Sequence, residues 1–138
     1  MILEEISGLN VFAGRRNQNT EIPEKLDDFQ EAHRDVYWQR TALEKKVSGE
    51  LHSASTYSVH NSVYDNYKSG KLIQRRYYGE TGNPRLDIDM TNHGNAKNHH
   101  VVPHFHNWNE IENGKIMRDT SYANKLKLGH IIANKDIL

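Results

Sequence analysis

The spacing of apolar residues in this chain changes at Gly70, and that change limits the folds open to it. Before Gly70, apolar side chains recur every three or four residues, as on one face of a helix. After Gly70 they alternate with polar side chains, as in a strand. Helices followed by an antiparallel meander define an α+β fold. We therefore predict one α+β domain over residues 20–138, after an N-terminal arm of residues 1–19. Its helical part is predicted over 20–69 and its sheet part over 71–138.

The strongest helical pattern begins at Leu26. Its stripe of side chains consists of Leu26, Phe29, His33, Val36, Arg40, Leu43 and Val47. Gly49 suits the end of this helix, because glycine is favoured just after a helical C-terminus. A second, weaker helix is predicted over about 57–69, with Gly70 ending it.

About four strands are predicted after the second helix. The alternating stretches are 72–78, 85–91, 99–108 and 115–122. Turn-forming residues separate them, and the last turn, Asn113-Gly114, is a strong hairpin signal. Pro103 lies inside the third strand, where it favours an edge position or a bulge. The expected architecture is N-terminal helices packed on an antiparallel sheet.

Five of the nine histidines fall between His93 and His106, close to Asp87 and Asp89. Imidazole exchanges protons near neutral pH and is also the commonest metal ligand in proteins. Strand alternation turns Asp87 and Asp89 to one side and the apolar side chain between them to the other. The segment is therefore a candidate functional site.

The third strand sorts its residues in the same way, with His104 and His106 on one side and Phe105 on the other. If the apolar rows face the helices, both histidines share an open face with the two aspartates. Only one of Arg75 and Arg76 can share that face. On the fourth strand, cationic side chains are supplied by Lys115 and Arg118.

Two chemistries fit such a face. Transesterification of RNA needs a base for the ribose 2′-hydroxyl, an acid for the leaving oxygen and a cation for the phosphate. Two histidines and an arginine supply these groups without a metal, and the product is a 2′,3′-cyclic phosphate. Alternatively, the His-x-His pair offers two imidazoles to zinc or manganese, and Asp87, His93 or His99 completes the ligand set. The spacing of the residues leaves both open.

Composition removes several other functions. The chain has no cysteine, which excludes disulfides, thiolate zinc sites and a cysteine nucleophile. Its 18 basic and 18 acidic residues balance, so nucleic acid has to meet a local basic patch. Acidic residues interrupt the short apolar start, unlike a signal peptide, and no apolar run is long enough to span a membrane. A cytoplasmic location is expected.

The same residues also have plain structural explanations. Asp87 and Asp89 can pair with arginines in a cross-strand ladder, and Trp108 can pack on the sheet. His33 is expected in the core, because it lies on the helical stripe, whereas His130 is expected on the surface.

Four stretches resemble a domain of phage-associated proteins and bacterial polymorphic toxins. They are 74–78 (QRRYY), 87–89 (DID), 92–95 (NHGN) and 103–108 (PHFHNW). The region from roughly Ser53 to Arg118 looks like a member of the barnase–EndoU–colicin–RelE group of endoribonucleases. That group places one or two helices before a curved antiparallel sheet. The resemblance implies a site made of Arg75 or Arg76, Asp87, His93, His104 and His106. His104 or His106 would act as base or acid, and the arginine would bind phosphate.

Three functions follow from these patterns. The first is a metal-independent endoribonuclease without a cofactor, a toxin-like effector or phage accessory protein, whose immunity protein would cover the His/Asp face. The second is a nuclease or hydrolase that uses zinc or manganese on His104, His106 and Asp87. The third is a non-catalytic module that binds a phage or host protein. Further substrate-binding side chains are predicted at Lys71, Arg85, Asp89, Trp108 and Lys115.

Overall fold

The computed structural model describes four stretches of the chain: 26–51, 54–92, 101–120 and 124–138. These residues form two compact units, one within 26–40 and 127–138 and the other within 41–126. The arm predicted over 1–19 lies outside the described residues. In the part of the chain that is described, no helix is long and apolar enough to cross a membrane.

The first unit is built from two helices, α1 (Leu26–Leu43), which continues past the unit boundary, and α2 (Leu128–Ala133). Val36 and Gln39 are buried on α1. Asn134, which follows α2, donates a hydrogen bond from Nδ2 to Gln39 Oε1 at 2.8 Å. Because each amide supplies the other with a partner, this polar pair is buried without the cost of an unsatisfied group.

The helix predicted from Leu26 is confirmed, but it ends at Leu43 instead of reaching Val47. The backbone N–H groups of Glu44 and Lys45 donate to carbonyls three residues earlier, a tightening that is common at helix ends. Val47 lies in a strand and is 62% exposed. An apolar side chain at the right spacing therefore does not continue the helix here.

His130 is buried, which corrects the surface position expected from the sequence. The Lys127 backbone N–H donates to His130 Nδ1 at 3.1 Å and caps the start of α2. A ring nitrogen accepts a hydrogen bond only when it carries no proton. Burial, together with the nearby Lys127 charge, lowers the pKa of His130 to about 4.

Acidification is expected to weaken this unit through His130. An unfolded histidine binds a proton near pH 6.5, whereas folded His130 binds one only near pH 4. Stability therefore falls as the pH falls through that window, by about 3 kcal/mol in total, and this contribution levels off below about pH 4. Denaturant unfolding at several pH values measures it. His130→Gln should flatten the dependence of stability on pH. The control His60→Gln, at an exposed histidine, should keep that dependence. The same pH dependence in both variants and the unsubstituted chain would contradict the role of His130.

The second unit contains a mixed sheet. The described residues form seven strands in the order β1-β2-β3-β4-β5-β6, with β7 also paired to β5. The strands are β1 (Lys46–Gly49), β2 (Val63–Lys68), β3 (Lys71–Tyr78), β4 (Pro84–Asp89), β5 (His104–Glu110), β6 (Ile116–Arg118) and β7 (Asn124–Lys125). β1 and β2 are parallel, and the other pairs are antiparallel. The α+β class is confirmed, but the sheet is larger than the four antiparallel strands predicted.

Residues 63–68 form β2, so the second predicted helix is wrong. Ser69 and Gly70 have φ values of 52° and 80°, and they connect Lys68 to its partner Lys71. Positive φ at both central residues is typical of a two-residue type I′ hairpin, whose twist matches that of the strands. Gly70 therefore joins two strands rather than ending a helix.

The boundaries after β3 also differ from those predicted. Pro103 immediately precedes β5, where its missing N–H costs no ladder hydrogen bond. Asn113 and Gly114 have φ values of 70° and 73°, which confirms a turn before β6. Residues 128–133 lie in the predicted sheet part, within a tail whose pattern left a last strand and a short helix open, and they form the helix α2.

The pairing of β3, β4 and β5 determines which side chains share a face. Arg76 is paired with Asp87, Asp87 with His106, and Asp89 with His104. Directly paired residues point to the same side of a sheet. The resulting polar face carries Gln74, Arg76, Asp87, Asp89, His104 and His106. The opposite face carries Arg75, Tyr77, Leu86, Ile88 and Phe105, all of them buried.

Candidate metal centre

Three side chains on the polar face, Asp89, His104 and His106, form what we call the His/Asp centre. Asp89 Oδ2 lies 3.3 Å from His104 Nε2 and 3.4 Å from His106 Nε2. One ligand atom from each residue lies within 4.8 Å of the other two. The predicted sharing of one face is confirmed, but that face is not open, because all three residues are 0% exposed.

Backbone carbonyls orient both imidazoles. His104 Nδ1 lies 2.8 Å from the Val101 oxygen, and His106 Nδ1 lies 2.7 Å from the Asp119 oxygen. A carbonyl oxygen can only accept, so each Nδ1 carries the hydrogen and donates it. In a neutral imidazole the lone pair is then on Nε2, the atom that faces Asp89. Two lone pairs and a carboxylate oxygen therefore converge.

The convergence has the dimensions of a metal site. Two ligands of a tetrahedral zinc ion, each about 2.1 Å from it, lie about 3.4 Å apart. The two distances from Asp89 Oδ2, 3.3 and 3.4 Å, match that separation. Metal-binding histidines also usually donate their other ring N–H to a carbonyl or carboxylate, as His104 and His106 do here. The three residues can therefore hold a divalent transition metal.

The electrostatics keep His106 in the form that binds metal. Burial lowers the pKa of His106, and the nearby Arg118 and His104 act in the same direction. The hydrogen bond to the Asp119 carbonyl and the charge of Asp89 oppose this shift without reversing it. The neutral imidazole is the form with a lone pair for a cation.

Asp87 is held by two arginines instead of by the histidines. Arg76 donates from Nε and Nη2 to the two Asp87 oxygens at 2.7 and 2.9 Å. Arg76 Nη1 donates to the carbonyls of Ala54 and Ser55, and the guanidinium lies 4.7 Å from the Trp108 ring centroid. Asp89, rather than the Asp87 proposed from the sequence, thus completes the group of possible ligands.

Arg118, expected only as a cation of the fourth strand and not as a site residue, borders the centre. Its Nη1 lies 3.4 Å from Asp87 Oδ2 and 3.5 Å from Asp89 Oδ2, and its side chain is 27% exposed. The signal that would have found it is cross-strand pairing, because Arg118 is the β6 partner of Trp108. A partly exposed guanidinium beside two carboxylates can reach an incoming anion.

Arg75, the other candidate phosphate ligand, points to the opposite face. Its Nε and Nη2 donate to the two oxygens of Asp65 at 2.7 and 2.8 Å, and both residues are fully buried. Strand alternation allowed only one of the two arginines on the polar face, and the structure shows that it is Arg76.

The remaining predicted site residues are more dispersed. Arg85, Lys71 and Lys115 are exposed, and Trp108 is half-buried against Arg76. His93 and His99 lie outside the described residues. Of the site residues predicted from the sequence, the structure brings six together: Arg76, Asp87, Asp89, His104, His106 and Trp108.

No family model, curated protein or solved structure matches this chain. The resemblance to an endoribonuclease group therefore stays a prediction.

Proposed function

We propose that this chain is a metal-dependent nuclease, in which Asp89, His104 and His106 hold the ion. The observation that carries the proposal is the approach of the two Nε2 atoms to within 3.4 Å of Asp89 Oδ2. Three protein ligands would leave a coordination position for water or substrate, as catalytic zinc sites do.

The residues around the centre suit a phosphodiester substrate. Arg118, with 27% of its side chain exposed, would bind a phosphate oxygen and offset the charge that develops during cleavage. Arg76 would keep Asp87 and Trp108 in place rather than bind substrate, because its donors are already directed to Asp87 and two carbonyls. A bound divalent ion would supply Lewis acidity toward the phosphate and lower the pKa of a water ligand.

A metal-independent endoribonuclease is the second candidate. It is favoured by the position of Asp89 between two imidazoles, with Arg118 alongside. In that function one histidine would remove the 2′-hydroxyl proton, the other would protonate the leaving oxygen, and Arg118 would bind the phosphate. Asp89 would orient the imidazoles and stabilise the charged one.

Metal removal separates the two functions. The purified chain is stripped with EDTA, and its zinc and manganese binding is measured by calorimetry. It is then incubated with single-stranded RNA and DNA before and after the ions are restored. The metal-dependent function predicts binding of about one ion per chain and cleavage only with that ion. Cleavage of RNA alone in EDTA, leaving 2′,3′-cyclic phosphate ends, would establish the second candidate. Intact RNA and DNA under every condition would contradict both and leave the non-catalytic binding module.

A further inference from the structure

A groove at the β1 edge of the sheet has the chemistry of a nucleic-acid binding site. One cavity of about 500 Å³ is lined by residues that include Lys45, Val47, Ser58, Tyr64 and Tyr78. A more open depression of about 630 Å³ is lined by Lys45, Tyr57, Ser58, Val59 and His60. The two share Lys45, Ser58 and Val59, so they form one continuous surface, which we call the β1 groove.

Two residues that line the β1 groove, Val47 and Tyr64, lie on the same face of the sheet as the His/Asp centre. A single row of paired residues crosses five strands: Val47, Tyr64, Arg76, Asp87 and His106. The three strand steps from Tyr64 to His106 cover about 14 Å, at about 4.8 Å a step. This distance is within the span of one short oligonucleotide, which would approach the buried centre from its partly exposed border at Arg118.

Arg76 links the wall of the groove to the centre. Its guanidinium binds Asp87 on one side and the Ala54 and Ser55 carbonyls on the other. Ser55 lines the cavity, and its carbonyl also accepts a hydrogen bond from the Tyr78 hydroxyl. The groove is thus built onto the same framework that holds the polar face.

The side chains of the groove match single-stranded nucleic acid. Tyr57 is 58% exposed, and Tyr64 lies so close to Gly49 that a Cβ there would be 2.2 Å from the tyrosine hydroxyl oxygen. This contact restricts the Tyr64 ring beside the cavity. Aromatic rings that are exposed or held in place can stack on the bases of a single strand, and this stacking tolerates any base sequence.

The charge of the groove favours the same ligand. Although the whole chain is neutral, none of the described residues that line the groove is acidic. Lys46 Nζ lies 3.6 Å from Asp65, whereas Lys45 is exposed and, among the described residues, its Nζ contacts the neutral His60 carbonyl at 3.4 Å. Lys45 is therefore the cation available to a phosphate.

We infer that the β1 groove binds single-stranded nucleic acid next to the cleaved bond. Bases would stack on Tyr57 and Tyr64, and a phosphate would bind Lys45. The inference rests on the proposed function, since it assigns the groove to the substrate of the His/Asp centre.

Oligonucleotide binding without turnover tests the groove. The probe is fluorescein-labelled oligo(dT), which lacks the 2′-hydroxyl, and binding to the full chain is followed by anisotropy in EDTA. Lys45→Glu and Tyr57→Ala are each expected to weaken binding about fivefold or more. Lys68→Glu and Tyr37→Ala are matched controls, because Lys68 is exposed and Tyr37 is 60% exposed, and neither lines the groove. Both controls should stay within about twofold of the unsubstituted chain.

The possible results separate the groove from the catalytic proposal. Three results would overturn the assignment of the groove to single-stranded nucleic acid, even if the chain cleaves nucleic acid. They are wild-type affinity in both Lys45→Glu and Tyr57→Ala, an absence of oligo(dT) binding, and tighter binding of duplex DNA. Selective weakening in these two variants would support the groove even if no ion restores cleavage, because binding in EDTA requires neither ion nor reaction.

Discussion

Replacing Asp89 with asparagine is expected to lower metal affinity and the rate of cleavage by at least about a hundredfold each. The substitution keeps the shape of the side chain but removes the charge from the oxygen that both Nε2 atoms approach. A neutral amide oxygen is a weak ligand for zinc or manganese. Calorimetry gives the affinity, and single-turnover cleavage gives the rate.

The stability of the Asp89→Asn variant distinguishes a metal centre from a structural polar cluster. Saturating zinc at about a hundred times its dissociation constant should stabilise the unsubstituted chain by about 2.7 kcal/mol. It should leave Asp89→Asn almost unchanged. In EDTA the variant should be as stable as the unsubstituted chain, because its amide can donate to an imidazole nitrogen that previously faced a carboxylate oxygen.

The control is Glu110→Gln, which neutralises an exposed carboxylate on the strand that carries both histidines. It should retain the affinity and the rate. Equal metal binding by Asp89→Asn and Glu110→Gln would mean that the His/Asp centre does not bind the ion.

Replacing Arg75 with methionine is expected to cost about 3–5 kcal/mol of unfolding free energy. Arg75 and Asp65 are fully buried and joined by two hydrogen bonds of 2.7 and 2.8 Å. The substitution would leave the Asp65 carboxylate buried, and in the described part of the chain Lys46 Nζ, 3.6 Å away, would be the cation left to offset its charge. Denaturant unfolding measures the loss, which is a large share of the stability of a typical domain.

Three further measurements test the explanation of this second prediction. The double variant Asp65→Leu/Arg75→Met should recover much of the loss, since it removes both buried charges. Arg85→Met, at an exposed arginine of β4, should change stability by less than about 0.5 kcal/mol. Metal binding should survive in folded Arg75→Met, because Arg75 lies on the face opposite the His/Asp centre; a selective loss of metal binding there would contradict that separation.

Strand alternation places Asp87 with Asp89, and His104 with His106, because a period of two belongs to the strand backbone itself. The two pairs are predicted to share a face once the apolar rows of both strands are turned to the same side. Alternation does not predict pairing. Asp89 faces the imidazoles because of the register between β4 and β5 and because Arg76 and Arg118 bind Asp87. Nor does alternation predict exposure, since a polar face can be buried as completely as an apolar one.

The other differences between the predicted and the observed structure arise where one local sequence feature fits two structures. A glycine after an apolar run ends a helix or turns a hairpin, and at Gly70 the pairing of β2 with β3 decides for the hairpin. His130 looks like a surface residue because imidazole is polar. Its burial depends on the hydrogen bond from Lys127 and on the packing of α2, and neither can be read from the residues beside it.

The acceptors that orient His104 and His106 belong to the main chain, at Val101 and Asp119. Every amino acid carries such a carbonyl. The Nδ1 position of the proton in both rings therefore depends on the path of the backbone at 101 and 119, and not on which side chains stand there. Substitutions at 101 and 119 that preserve this path would leave the rings as they are. A shift of these backbone segments by about an ångström would break the hydrogen bonds and let the imidazole rings rotate. Such a shift would not be visible in a comparison of sequences.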